Sequence, residues 1–155
     1  MIFQFLDRMN GYAILGDGKV LNSTDGGKTW LTFSTLPSGM AGNIASMTFE
    51  NKGTGWVVGS GGTIAKTNDG GRTWERQKSN AQSSLSSVAA ASKYTAWIGG
   101  ENGTILKTID GGLNWMQLDI DFGSSAGVYS NDIRNIQLHD NKAWTVVGLY
   151  IYVLS

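Results

Sequence analysis

Cysteine is absent from the 155 residues, which excludes a disulfide framework and thiolate chemistry. His139 is the only histidine, so the ligands of a zinc site of the usual His/Cys kind are missing too. Charge is sparse. Twelve basic and twelve acidic side chains cancel, make up 15% of the chain and form no run of like sign. A nucleic-acid backbone or an anionic membrane surface calls for clustered Lys and Arg, so neither partner is expected. No apolar run approaches the roughly 20 residues of a membrane-spanning helix. Met1–Asn10 carries Asp7 and Arg8 inside its apolar stretch and does not read as a signal peptide. That leaves the compartment open: cytoplasmic if the chain is the whole product, otherwise set by a signal outside it. A Walker loop and a dinucleotide fingerprint are missing as well, so no cofactor or metal is expected.

Glycine is plentiful at 22 residues against a single proline, and aromatics make up 10%. With Trp, Val and Ile beside them, these glycines point to short strands joined by tight turns. One phrase is written three times: Ser-Thr-Asp-Gly-Gly-Lys-Thr-Trp at 23–30, Thr-Asn-Asp-Gly-Gly-Arg-Thr-Trp at 67–74, and Thr-Ile-Asp-Gly-Gly-Leu-Asn-Trp at 108–115. Asp25 and Asp69 are 44 residues apart, Asp69 and Asp110 41. A second series, Tyr12, Trp56, Trp97 and Trp144, keeps a similar step and announces a fourth unit. Self-similarity at this period marks a repeat architecture.

Each unit reads as four short strands. In the third these are 87–91, 95–99, 104–108 and 115–118, with Glu101-Asn102-Gly103 and Asp110-Gly111-Gly112 as turns. The first unit reads as Phe3–Arg8, Tyr12–Gly16, Lys19–Thr24 and Trp30–Thr35, and the second as Ile44–Glu50, Gly55–Gly59, Thr63–Thr67 and Trp74–Lys78. The fourth supplies only Ile133–Leu138, Ala143–Gly148 and Ile151–Leu154, giving fifteen strands. The expected fold is therefore all-β: a β-propeller of about four four-stranded antiparallel blades, the last lacking its outer strand. It forms a single domain over 1–155, with blades at about 1–36, 43–79, 85–121 and 132–155.

The recurring phrase reads as a structural clasp. Asp25, Asp69 and Asp110 can accept backbone N–H groups across the turn. Gly27, Gly71 and Gly112 take conformations costly for other residues, and Trp30, Trp74 and Trp115 plug between sheets. Calcium binding would need several converging oxygens, and one carboxylate per turn falls short.

Ser/Thr-x-Asp-Gly-Gly-x-Thr-Trp resembles the Asp-box, or bacterial neuraminidase repeat. The longer string from Gly55 to Trp74, Gly-Trp-Val-Val-Gly-Ser-Gly-Gly-Thr-Ile-Ala-Lys-Thr-Asn-Asp-Gly-Gly-Arg-Thr-Trp, resembles the repeat of the photosystem II assembly/stability factor family. Gly99–Trp115 matches nearly as well, Gly16–Trp30 less fully, and 143–155 in its first half. That resemblance implies a propeller acting as a non-catalytic assembly chaperone, although the family's members hold about twice as many blades and carry an export signal. Sialidases with Asp-boxes use three arginines, an acidic proton donor and a Tyr–Glu pair. The four arginines here, Arg8, Arg72, Arg76 and Arg134, cannot be placed into such a site, so no catalytic residue is expected.

Four blades do not close an ordinary six- to eight-bladed ring, and an open arc exposes apolar faces on its end blades. A homodimer forming an eight-bladed ring is expected, the other account being a piece of a longer gene. Propeller ligands usually meet the face bearing the second-to-third and fourth-to-first strand loops. There the chain offers Asp17, Asn43, Glu101, Asn131, Asp132, Arg134 and Tyr150, together with the long 122–131 loop. Two functions follow: a non-catalytic scaffold propeller recognising a protein segment or small polar ligand through its rim, or a carbohydrate-binding or degenerate glycosidase propeller, with Glu101 and Asp132 as a conceivable carboxylate pair.

Overall fold

The computed structural model describes residues 1–120, 131–140, 142–147 and 150–154. Among them are four antiparallel sheets. The first is β1 (Ile2–Phe5), β2 (Gly11–Ile14), β3 (Lys19–Ser23) and β4 (Leu31–Thr35); the second is β5 (Ile44–Phe49), β6 (Gly55–Gly59), β7 (Thr63–Thr67) and β8 (Glu75–Gln77). The third is β9 (Leu85–Ala90), β10 (Ala96–Gly100), β11 (Ile105–Thr108) and β12 (Met116–Gln117). The fourth holds β13 (Ile136–His139), β14 (Lys142–Val147) and β15 (Tyr150–Leu154). Each sheet is a meander of neighbours in chain order, as hairpin-rich sequence with glycine turns dictates. The protein is a β-propeller whose fourth blade has three described strands. Expected and observed strands agree in order and differ at their ends. The stretch expected as one strand to Arg8 stops at Phe5, because Asp7 turns the chain by accepting the Met9 and Asn10 amides at 2.8 Å.

Inner strands meet in the order β1, β5, β9, β13, so the blades stand side by side around an axis. Alternation gives every blade one face toward the blade before it and one toward the blade after it. Between blades one and two, Tyr12, Ile14 and Val20 pack on Phe49, Val57, Ala65 and Trp74. Blades two and three join through Trp56, Val58 and Ile64 against Val88, Ile98, Leu106 and Trp115. Blades three and four join through Trp97 and Ile105 against Ile136, Ala143 and Leu154. Near the axis, polar side chains reach across each seam to the next inner strand. Gln4 accepts the Phe49 N–H at 2.7 Å and donates to its carbonyl at 3.2 Å. Ser46 accepts the Val88 N–H at 3.3 Å and Ser87 that of Ile136 at 2.9 Å.

Two faces have no described sheet against them. The outward face of blade one shows Phe3, 63% exposed, and that of blade four shows Val146 at 57% and Ile151 at 69%. In the inner blades the same positions are covered: Val88 and Val58 are buried.

Candidate functional site

Antiparallel meanders put the β1–β2 and β3–β4 turns at one end of every blade, and the β2–β3 turns with the connections between blades at the other. At the first end lie the Asp-Gly-Gly turns. Asp25 accepts the Thr29 amide at 2.9 Å and the Thr29 hydroxyl at 2.6 Å, and Ser23 donates to it at 2.9 Å. Asp69 repeats this with Thr73 and Thr67. Asp110 uses Asn114, whose amide and side chain donate at 3.0 and 2.8 Å, and Thr108. For Asp25 and Asp69 the Thr29 and Thr73 side chains, and for Asp110 the Asn114 amide, lead in holding the carboxyl down to about 2. Both oxygens are occupied inside the turn, leaving these carboxylates little to offer a ligand. The second glycine sits at φ +83 in Gly27, +86 in Gly71 and +87 in Gly112, which a Cβ would strain. Trp30 and Trp74 donate to the Gly27 and Gly71 carbonyls, whereas Trp115 donates across the seam to Gln77.

The opposite end is a rim stitched by backbone. Ser60 donates to the Asn43 carbonyl, Gly62 to Ser83 and Glu101 to Ser84, each at 2.9 Å, and Ile133 donates to Gly100 at 2.8 Å. Gly59 is where the approach is closest: a Cβ there would lie 1.8 Å from the Asn43 carbonyl oxygen.

The rim residues expected from sequence fall into three places. Asp17 pairs with Lys19 at 2.7 Å, a contact that holds its carboxyl below the usual range, and its turn packs on the connection bearing Asn43. Asn43 itself donates to the Gly39 carbonyl at 3.2 Å. Glu101 and Asp132 come to one corner between blades three and four, where Asp132 accepts the Asn102 amide at 3.1 Å and faces Arg134 at 3.9 Å. Arg134 is 81% exposed at its side chain, and Glu101 and Asn131 are also exposed. A shallow pocket lined by Asn102, Gln117, Asp119 and Asn131 adjoins that corner. Tyr150 stands apart, opening β15 opposite Val147. The 122–131 loop, apart from Asn131, lies outside the described residues. Among the described residues no three His, Cys, Asp or Glu side chains come together as a metal site would need.

Sequence reasoning missed a groove on the open face of blade four, lined by Arg134, Asn135, Gln137, Trp144, Val146 and Ile151. The signal was present: the register Gln137↔Trp144 repeats Gln4↔Tyr12.

The model of a family described as Photosynthesis system II assembly factor YCF48 matches residues 32–128, more than half of the chain. The chain belongs to this family. A search of the curated proteins returns no match. Among solved structures, YCF48 bound to D1 peptide is 24% identical over 100% of this chain, with a TM-score of 0.72. The chain spans 49% of that YCF48 chain, about half its length. An ancestral GH74 enzyme is 13% identical over 98% of this chain and 22% of its own, TM-score 0.74. The computationally designed Ika4 protein is 16% identical over 98% of this chain and 88% of its own, TM-score 0.68. At these identities the likeness establishes the propeller fold, which the YCF48-family blades here share with enzymes and designed proteins alike.

Proposed function

We propose that this chain is a non-catalytic binding propeller of assembly-factor type whose rim recognises an extended segment of polypeptide. The observation that carries the proposal is its membership of the YCF48 family, in which a structurally similar protein has been solved bound to D1 peptide. The rim suits such a ligand. Glu101, Asn131 and Arg134 present a carboxylate, an amide and a guanidinium to solvent at one corner, beside the shallow Asn102–Asn131 pocket. Together they can pair with main-chain groups and with side chains of either sign. Asp132 is already engaged by the Asn102 amide and faces Arg134, which suits it to holding the corner's shape better than to handling a proton.

Fluorescence anisotropy with labelled D1 peptide and its scrambled sequence, followed by a library of synthetic 15-residue peptides, tests this reading. Saturable, sequence-dependent binding is expected, weakened about tenfold by Arg134→Glu, the size of one lost charge-assisted contact. Absence of peptide binding, together with glycan binding or fluorogenic glycoside hydrolysis that Glu101→Gln abolishes, would replace it with a carbohydrate-directed function.

A further inference from the structure

The two open faces carry the two halves of a joint that the chain already makes once within itself. At the seam between blades one and two, Tyr12 lies flat on Phe49, ring centroids 4.0 Å apart and planes 9° apart. Phe49 in turn meets Trp74 edge-on at 5.9 Å, and Gln4, opposite Tyr12, clamps the Phe49 main chain. The pleat lets every blade be compared at these positions. Opposite the first-series aromatic stand Gln4, Thr48, Ala89 and Gln137 in blades one to four. At the position of Phe49 stand Phe5, Phe49, Ala90 and Leu138. The second seam thus joins Thr48 to Ala90, and the third joins Ala89 to Leu138. Among the described residues, only Gln137 on the open face of blade four and Phe5 on the open face of blade one remain without their counterpart. Phe5 is set as Phe49 is, opposite a glycine and edge-on to its blade's tryptophan, Trp30, at 5.8 Å. Trp144 occupies the place of Tyr12 and is the ring that would lie on Phe5.

We infer that these faces dock on each other between two copies of the chain, blade four of each receiving blade one of its partner. Trp144 stacks on Phe5 across the seam, Gln137 takes its main-chain groups, and Val146 covers Phe3 as Val58 covers Val88. Size is no obstacle: the designed Ika4 chain, 88% of which this chain covers, shows that a chain hardly longer than four blades adopts this fold. Nor is charge, since each copy carries a formal net charge of zero. A twofold pair makes both seams at once and leaves no open end. The area removed from water should be of the order of 2,000 Å² or more, the class of obligate dimers.

Light scattering on the purified 155-residue chain tests the inference. The expected mass is twice 16.6 kDa at micromolar concentration. Val146→Lys and Phe3→Glu are each expected to give a monomer, since both side chains are exposed in the single chain and their loss spares its fold, to be verified by circular dichroism. An equimolar mixture of the two variants should recover the dimer, because one seam then joins Lys to Glu while the other is unaltered. Gln137→Ala, lost from both seams, should weaken association tenfold or more. A monomeric wild type, an open-ended series of larger species, or folded variants that do not recover in the mixture would each overturn the inference.

Discussion

Asp25, Asp69 and Asp110 show how far a single residue can be read from its neighbours. The thrice-written phrase announces a tight turn with a carboxylate at its centre, and both oxygens of each aspartate are held by the residue four positions on and the hydroxyl two positions back. What the phrase does not announce is Lys66. Alternation sets it on the same face as Trp56, and only the neighbouring blade decides that this face is inside. There Lys66 is 8% exposed, lies 4.6 Å over the Trp56 ring, and donates to the carbonyls of Lys93 and Gly111. Burial pushes its pKa down, while Asp110 works the other way. The aspartates yield a prediction about acid. Their folded pKa of about 2 lies below the ordinary 3.8, so the stability they contribute is fully present above roughly pH 4 and is lost as the pH falls through 2. Urea midpoints measured from pH 6 to pH 2 should therefore fall mainly below pH 4. Asp69→Asn should flatten part of that fall; an unchanged profile would count against the clasp.

At the scale of the strand, order and pairing were legible because glycine turns and aromatic steps repeat with the blade. Strand ends were not, since they are set by local bonds such as those Asp7 makes to Met9 and Asn10. The seams between blades were legible only as apolar faces. Their polar parts, Gln4 on Phe49, Ser46 under Val88 and Ser87 under Ile136, differ from blade to blade and emerge once the register is known. For the same reason, the rim corner was readable as a set of loop residues, with Glu101 and Asp132 conceivable as a pair, but the Asn102 amide and the Arg134 guanidinium that meet Asp132 there were not. Lys66 and Gln77 each make two hydrogen bonds across the seam between blades two and three. Lys66→Met keeps the stem's volume and removes both donated bonds. Gly111 O retains Gln77 as a donor while Lys93 O loses its Lys66 bond, so the variant should lose about 1 kcal/mol in urea denaturation at pH 7. A gain in stability would mean that the cost of burying the ammonium outweighs its bonds.

For the molecule as a whole, the sequence foretold four blades and an open arc, and the structure adds what its two ends present. Gln137 and Trp144 on one side match Phe5 and Trp30 on the other, so the question raised by a half-ring becomes one about a specific contact. Completion of the ring would also carry the rim from one copy to the next, enlarging the surface offered to a polypeptide. The absence of cysteine makes the contact directly measurable, because Phe3→Cys and Val146→Cys introduced into one chain would be its only thiols. Under mild oxidation, non-reducing electrophoresis should show that doubly substituted chain joined covalently into dimers, and each single substitution should remain largely monomeric. A doubly substituted chain that stays monomeric, or that links into a ladder of longer species, would contradict the account.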